Sequence, residues 1–346
     1  MSSFPSRFAF LCARAIFLGA FVGVPGLGTA FAAMIPTTSA TVTALTGGTA
    51  GAFFDMQQNI NQPGPTLASV SVGGAAGSDG STSAASASAV ANFGALGVMG
   101  GGSGSTPPII STTGVSSDST AFASWDDFFT AVPNGGSPLA PGAPVVANLN
   151  LDLSFTNTLE AINNAVGTFS YDVFIFFAPI DPVTGLPTNP LLIDDCLSFN
   201  PDPESNFCDA GSHFIGIPAD TNGQHLTAQL GPIALQVAIL QPFELSVGVT
   251  FEGQCTSGPN PTAVSSCTFV GDALHTSNAF LQPLGDFTLI AASGHVYAPG
   301  ITPPGSVPEP ASLALILTGL VPAALWLRRR PTTRSGAARG SFARPG

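Results

Sequence analysis

A run of oxygen-bearing side chains is the sharpest chemical feature in the body of the chain. Asn200, Asp202, Glu204 and Asn206 occupy every second position, and Asp209 follows shortly after. Alternating carboxylate and amide oxygens in a proline-rich turn suit a hard cation such as Ca²⁺, which takes about six to eight oxygen ligands. The run lacks the glycine and the closing glutamate of an EF-hand loop. Calcium binding is therefore one hypothesis, and the favoured interpretation is a solvated acidic loop.

Four of the five cysteines are candidates for disulfides. Cys196 and Cys208 are twelve residues apart, as are Cys255 and Cys267, whereas Cys12 lies in the N-terminal segment interpreted below as a signal peptide. An exported chain enters an oxidising compartment, where disulfides are the default. The equal spacing favours local pairing of 196 with 208 and of 255 with 267, although four cysteines allow three connectivities. A zinc site is the alternative, but the C-x₂₋₄-C spacing typical of zinc sites is missing.

Candidate catalytic groups are few. The chain has no G-x-S-x-G and no H-E-x-x-H motif. Its four histidines are scattered singly, and such residues are more often structural than catalytic: His213, His225, His275 and His295. Asp172 lies on an apolar strand and is expected to face solvent between Tyr171 and Val173; a buried carboxyl with a raised pKa is the alternative. We predict that the protein is not an enzyme; the alternative is a secreted hydrolase of polysaccharide that uses carboxylates such as Asp172 or Glu244.

Positive charge is confined to the two ends of the chain. There is no lysine, and no arginine lies between Arg14 and Arg328. Nineteen of the twenty acidic residues lie between Ala33 and Pro308, which gives that body a formal charge of −19 with neutral histidines. Nucleic-acid binding requires lysine and arginine to neutralise phosphates, so we predict no nucleic-acid partner. Lysine Schiff bases and phosphate clamps are excluded as well, and divalent cations are the natural counter-charges.

The elements that must position these residues are β-strands. Residues 148–155 and 243–251 alternate strictly between apolar and polar side chains, which is typical of antiparallel strands with one solvated face. Further strands are expected at residues 168–177, 233–240, 267–270, 287–291 and 295–298. One helix is expected at residues 158–166, where a threonine can cap the first turn and a glutamate lies in it. We predict an all-β fold, an antiparallel two-sheet sandwich with jelly-roll-like topology, over residues 33–300.

Residues 47–142 within this body are rich in glycine, alanine and serine. Residues 83–98 still alternate along the chain, which predicts strands built from small side chains. Residues 124–129, which include Trp125 and Asp127, then continue as an ordered strand. The alternative is a disordered spacer, because low-complexity Gly/Ser tracts are often flexible.

The N-terminal residues 1–32 are typical of a secretory signal peptide. Arg7 and Arg14 precede an apolar core at residues 15–24 that is too short to span a bilayer. Ala30-Phe31-Ala32 then provides a small-x-small cleavage pattern. We therefore predict that the chain is exported; an uncleaved N-terminal anchor is the alternative.

The C-terminal end has three parts in strict order. Residues 301–310 are a linker, residues 311–327 carry no charge, and residues 328–346 are rich in arginine. The linker ends in Val307-Pro308-Glu309-Pro310, and the apolar stretch is closed by Arg328, Arg329 and Arg330. Seventeen residues in a helix span about 25 Å, enough for a thin membrane. The positive-inside rule then predicts a transmembrane helix with a cytoplasmic Arg-rich tail.

These C-terminal residues closely resemble the PEP-CTERM sorting signal of Gram-negative bacteria. The resemblance covers about the last forty residues, and the tail after Arg330 is longer than the usual abrupt stop. It implies recognition by an exosortase, a membrane-embedded cysteine protease or transpeptidase that is thought to cut at or near Pro308-Glu309-Pro310. Proteins with this signal are typically associated with exopolysaccharide, biofilm or floc matrix. A plain C-terminal anchor is the alternative.

A second, looser resemblance concerns the body. The order of small-residue strands, a Trp-Asp strand, a long alternating strand and a closing segment at residues 293–297 is similar to other PEP-CTERM ectodomains, and it implies no activity. We therefore predict a surface or matrix protein, held transiently in the inner membrane and then released to the cell surface. Its expected role is structural or adhesive in the exopolysaccharide layer. Exosortase and exopolysaccharide are the expected partners, and no cofactor is expected apart from the hypothesised calcium.

Overall fold

The computed structural model describes residues 35–48, 51–72, 80–108, 114–181, 183–199, 213–216 and 225–298. These residues form β-strands and contain no helix. In chain order the strands are β1 (Thr37–Gly48), β2 (Gly51–Gln62), β3 (Thr66–Val72), β4 (Thr82–Asn92), β5 (Ala95–Thr106), β6 (Val115–Pro133), β7 (Pro144–Ile162), β8 (Ala165–Pro179), β9 (Leu191–Phe199), β10 (His213–Gly216), β11 (His225–Ala238), β12 (Pro242–Ser257), β13 (Ser265–Leu284) and β14 (Phe287–Ala291).

The strands form two sheets that pack face to face. The first sheet has the order β10-β9-β8-β12-β6-β1-β2, with β14 also paired to β6. The second has the order β11-β7-β13-β5-β4-β3. Among the described strands every pairing is antiparallel except that of β9 with β10. The predicted all-β antiparallel sandwich is therefore confirmed.

The two-residue period of the sequence decides which side chains enter the space between the sheets. In β6 the odd-numbered residues face inward, among them the fully buried Trp125 and Phe129. In β12 the odd-numbered Phe243, Val247 and Phe251 do the same. Leu149, Leu151 and Leu153 of β7 supply the facing layer of the second sheet. Such a layer contributes roughly 1.5–3 kcal/mol per buried large side chain.

Small residues of the second sheet make room for large aromatic rings in the core. Gly100 of β5 lies against the ring of Phe251, and Gly102 lies against the ring of Phe269. The inward-facing alanines of β4 complete this thin layer, since Ala87 and Ala89 are buried in the same core. The prediction of small-residue strands over residues 83–98 is thus confirmed, because a close-packed interior opposite bulky rings requires small side chains.

We expect Gly100→Ala to destabilise the fold by about 1–3 kcal/mol, because a methyl group there overlaps the fully buried Phe251 ring. Gly101→Ala is the matched control. Its added carbon lies 3.4 Å from the nearest atom, an ordinary contact, so we expect a change within about 0.5 kcal/mol. Thermal unfolding of both variants measures the difference. Equal unfolding temperatures would contradict this account of the packing.

Two predicted elements are wrong. The helix expected at residues 158–166 is strand, because β7 continues to Ile162 and β8 begins at Ala165. The turn between them is made by Asn163 and Asn164, whose φ angles of 53° and 70° lie in the left-handed region that asparagine tolerates. Residues 295–298 form no strand either, because they cross between the two sheets. The other strand candidates fall on β7, β8, β11, β12, β13 and β14.

Candidate functional site

The strand that carries Trp125 and the closing segment 293–297 meet at one end of the sandwich. After β14 pairs with β6, the chain turns at Gly294, whose φ is 74°. The Tyr297 carbonyl then accepts a hydrogen bond from the Leu281 N–H of β13 at 2.8 Å. The Tyr297 hydroxyl donates to the Asp127 carboxylate of β6 at 2.9 Å. One residue therefore connects the second sheet through its backbone with the first sheet through its side chain.

Asp127 is fully buried and accepts four hydrogen bonds from neutral groups. Its Oδ1 accepts from the N–H groups of Phe128 at 2.8 Å and Ser293 at 3.1 Å. Its Oδ2 accepts from the hydroxyls of Ser293 and Tyr297. Because the body carries no lysine or arginine, these donors replace the cation that normally compensates a buried carboxylate.

Aromatic rings pack around the Tyr297 ring that donates to this carboxylate. The Tyr297 ring centroid lies 5.2 Å from that of Trp125 and 5.0 Å from that of Phe129. Burial raises the pKa of the Tyr297 phenol well above its ordinary value, and the neighbouring Asp127 carboxylate raises it further. The phenol therefore remains a hydrogen-bond donor at physiological pH.

His295 covers the outer side of the Tyr297 ring. The two rings meet edge to face, with centroids 4.6 Å apart. Burial lowers the pKa of His295, although the Asp127 carboxylate opposes that shift, so the neutral imidazole is favoured at pH 7. Gly94, in the turn between β4 and β5, lies so close that a Cβ there would be 2.7 Å from the His295 Nε2. The turn thus fits only with a residue that has no side chain.

A serine, a histidine and an aspartate meet here, but not in the order that nucleophilic catalysis needs. A catalytic triad places the imidazole between the hydroxyl and the carboxylate. Here the Ser293 hydroxyl donates directly to Asp127, and it accepts the backbone N–H of His295 at 3.1 Å. The arrangement joins the sheets instead of activating the serine. We call Asp127, Ser293, His295 and Tyr297 the closing latch.

One predicted disulfide is confirmed. Cys255 and Cys267 are bonded, with Cα atoms 5.9 Å apart. Both are buried, and they lie on β12 and β13, which belong to opposite sheets. This disulfide therefore joins the two layers of the sandwich. Cys196 lies on β9, whereas Cys208 lies outside the described residues, so the pairing of these two remains a prediction.

Several predicted sites lie outside the described residues. They are the hypothesised calcium ligands Asn200, Asp202, Glu204, Asn206 and Asp209, the sorting residues Val307, Pro308, Glu309 and Pro310, and the arginines Arg328, Arg329 and Arg330. The predicted signal peptide at residues 1–32 and the predicted transmembrane helix at residues 311–327 also lie there. Among the residues that are described, no group of three or more metal-binding side chains is placed to hold an ion. A membrane-crossing helix is likewise missing from that part of the chain.

The carboxylates of the alternative hydrolase are far apart. Asp172 of β8 pairs with Thr250 of β12, which is six residues along the strand from Glu244. Six residues of strand correspond to about 20 Å, whereas glycosidase carboxylates lie about 5–9.5 Å apart. Asp172 lies half-buried on the outer face, between the inward-facing Tyr171 and Val173. These two carboxylates therefore form no glycosidase pair.

The closing latch was not predicted as a site. The inward position of Asp127 could be predicted from the sequence, because Trp125, Asp127 and Phe129 are at alternate positions and therefore lie on the same face of the strand. Its partners Ser293 and Tyr297 lie 166 and 170 residues away, which local patterns cannot bring together. No family model, curated protein or solved structure matches this chain.

Proposed function

We propose that this protein is an exported, exosortase-sorted component of the cell surface or extracellular matrix of a Gram-negative bacterium. Its role is structural or adhesive in the exopolysaccharide layer, and it is not an enzyme. The observation that carries the proposal is the strict order of Val307-Pro308-Glu309-Pro310, an uncharged apolar stretch and an arginine cluster, after a signal-like N-terminus. That order resembles the PEP-CTERM signal in every part except the longer tail.

The architecture suits a protein located outside the cytoplasm. An inter-sheet disulfide and a carboxylate held by neutral donors stabilise the sandwich without lysine or arginine. Disulfides persist in oxidising compartments. The long consecutive strands β5, β6, β7 and β8 belong alternately to the second and the first sheet, as consecutive strands of a jelly roll do. A jelly-roll topology is therefore part of the proposal.

Mass spectrometry of the mature chain tests the sorting proposal. In the native bacterium we expect a mature N-terminus near Ala33 and loss of about the last forty residues, with the new C-terminus at or near Pro308-Glu309-Pro310. Glu309→Ala is expected to leave the tail attached and the protein in the inner membrane. Pro304→Ala, in the linker outside the motif, is the matched control and should be processed normally.

Retention of the final forty residues in a strain with a working exosortase would contradict the proposal, as would recovery of the protein from the cytosol. Equal processing of the Glu309 and Pro304 variants would show that the motif is not what the cell recognises. A tail that stays attached while the body is still exported would favour the plain C-terminal anchor.

A further inference from the structure

The outer face of the second sheet changes in chemical character along β7. The outward side chains of residues 154–158 carry hydroxyls, whereas Asn148, Asn150 and Asp152 precede them on the same face. Asparagine and aspartate are disfavoured inside strands, where threonine is favoured. Three such residues at alternate positions therefore call for a reason other than strand formation.

The neighbouring strand β13 continues this pattern. Its outward residues Asn278, Phe280 and Gln282 lie directly opposite the three residues of β7. Side chains paired in this way have Cβ atoms about 4.5–5.5 Å apart. One half-buried aromatic ring is thus surrounded by amide groups and a single carboxylate. We call these six residues the amide patch: Asn148, Asn150, Asp152, Asn278, Phe280 and Gln282.

The asparagines of the amide patch have no structural task inside the protein. Elsewhere asparagine side chains are engaged, as in Asn157, which accepts a hydrogen bond from the buried Tyr171 hydroxyl at 2.8 Å. Within the described part of the chain no such bond engages the side chains of Asn148, Asn150 and Asn278, although each is half-buried. Their donors and acceptors are therefore left for water or for a ligand.

The amide patch has the chemistry that recognises sugars. Asparagine and glutamine present a donor and an acceptor side by side, and neighbouring sugar hydroxyls can both accept and donate. The faces of sugar rings carry C–H groups, which pack on the electron-rich face of an aromatic ring such as Phe280. From Asn148 to Asp152 the patch extends about 13 Å, which accommodates a short run of sugar units.

We propose that the amide patch binds a neutral polysaccharide. This inference rests on the proposed function, which places the protein in the exopolysaccharide layer. Charge identifies the ligand, because a body of formal charge −19 repels anionic polymers and the patch holds no cation to offset that repulsion. A cationic polymer would be drawn to carboxylates over the whole body. The patch has only Asp152, whose Oδ1 already accepts a hydrogen bond from Gln229 at 2.9 Å.

Affinity electrophoresis of the full chain in detergent tests the binding. The probe is the neutral fraction of the polysaccharide secreted by the native bacterium, separated from anionic polymers by anion exchange and cast into native gels. We expect this fraction to retard the protein in proportion to its concentration. Gels that contain alginate, an anionic polysaccharide, should leave the mobility unchanged.

Variants of the outer face locate the site. The double variant Asn148→Thr, Asn150→Thr removes two amides and keeps polar side chains that suit a strand, so the fold should persist. We expect it to weaken binding at least about tenfold through the lost hydrogen bonds. Phe280→Leu keeps the bulk and removes the aromatic face, with an expected loss of about threefold or more. Thr158→Ala, on the same face of β7 outside the patch, is the control and should bind normally.

Four results would overturn the proposal: no retardation by the neutral fraction, equal retardation by alginate, a double variant that binds as well as the unsubstituted chain, and a Thr158 variant that binds as poorly as the double variant. If the double variant unfolds, Phe280→Leu decides the question. Sorting and binding fail separately. A chain with a normally processed tail that the gel does not retard contradicts the amide patch alone, whereas a retarded chain that keeps its tail contradicts the sorting proposal alone.

Discussion

Replacing Asp127 with alanine is expected to lower the stability of the sandwich by about 3–5 kcal/mol, because the four donors around this fully buried position, among them the buried Tyr297 hydroxyl, then lose their acceptor. For a domain of this size each kcal/mol lowers the unfolding temperature by roughly 2–4 °C, so the expected shift is roughly 6–20 °C. Thermal unfolding followed by tryptophan fluorescence measures it directly, since Trp125 is buried beside Tyr297.

The neighbouring carboxylate provides the control. Asp126 lies on the opposite face of β6 and is partly exposed, so Asp126→Asn is expected to change stability by no more than about 1 kcal/mol. Tyr297→Phe removes one of the four donors and keeps the ring. We therefore expect its loss of stability to lie between the losses of the Asp126 and Asp127 variants. Equal stability of the Asp126 and Asp127 variants would contradict the closing latch.

Removing the inter-sheet disulfide is expected to cost about 3 kcal/mol, the chain-entropy value for a closed loop of this length. The double variant Cys255→Ala, Cys267→Ala should therefore unfold roughly 6–12 °C below the unsubstituted chain. The two cysteines are twelve residues apart, and both sulfurs are buried between the layers. Alanine is chosen over serine, because a buried hydroxyl without a partner adds a cost of its own.

Single variants and reduction separate the covalent bond from side-chain packing. Cys255→Ala and the double variant should lose nearly the same stability, because either one removes the whole bond. Dithiothreitol should lower the unfolding temperature of the unsubstituted chain toward that of the double variant. Two outcomes would show that the bond does not hold the sheets together. One is that the stability losses of the two single variants add up to that of the double variant. The other is that the double variant is as stable as the unsubstituted chain under oxidising conditions.

Strand positions were predictable wherever a strand has one buried and one solvated face. The leucines of residues 148–155 and the phenylalanines of residues 243–251 alternate in the sequence, and the structure buries them between the sheets. The glycine- and alanine-rich strands were predicted on the same two-residue period. The packing reason for their small side chains was not predictable, because the rings that fill the space over Gly100 and Gly102 come from the distant strands β12 and β13.

The errors occurred where local preference and tertiary context disagree. Residues 158–166 have a capping threonine and a glutamate in the first turn, yet β13 offers a continuous ladder of partners from Thr156 to Ile162. Pairing with that ladder outweighs a weak helix preference. Residues 295–298 contain alternating apolar side chains, but the sheets need a connection at this end, and the segment supplies it through Tyr297.

The amino-acid sequence alone determined the strand period, the alternation that directs Trp125 and Asp127 inward, and the lack of lysine and arginine between Arg14 and Arg328 that could accompany a buried acid. These properties are local or compositional, so folding does not alter them. The tertiary structure decided which distant groups compensate Asp127 and which cysteines join the sheets. These outcomes depend on contacts between residues far apart in the chain, and only the packing of the two layers establishes such contacts.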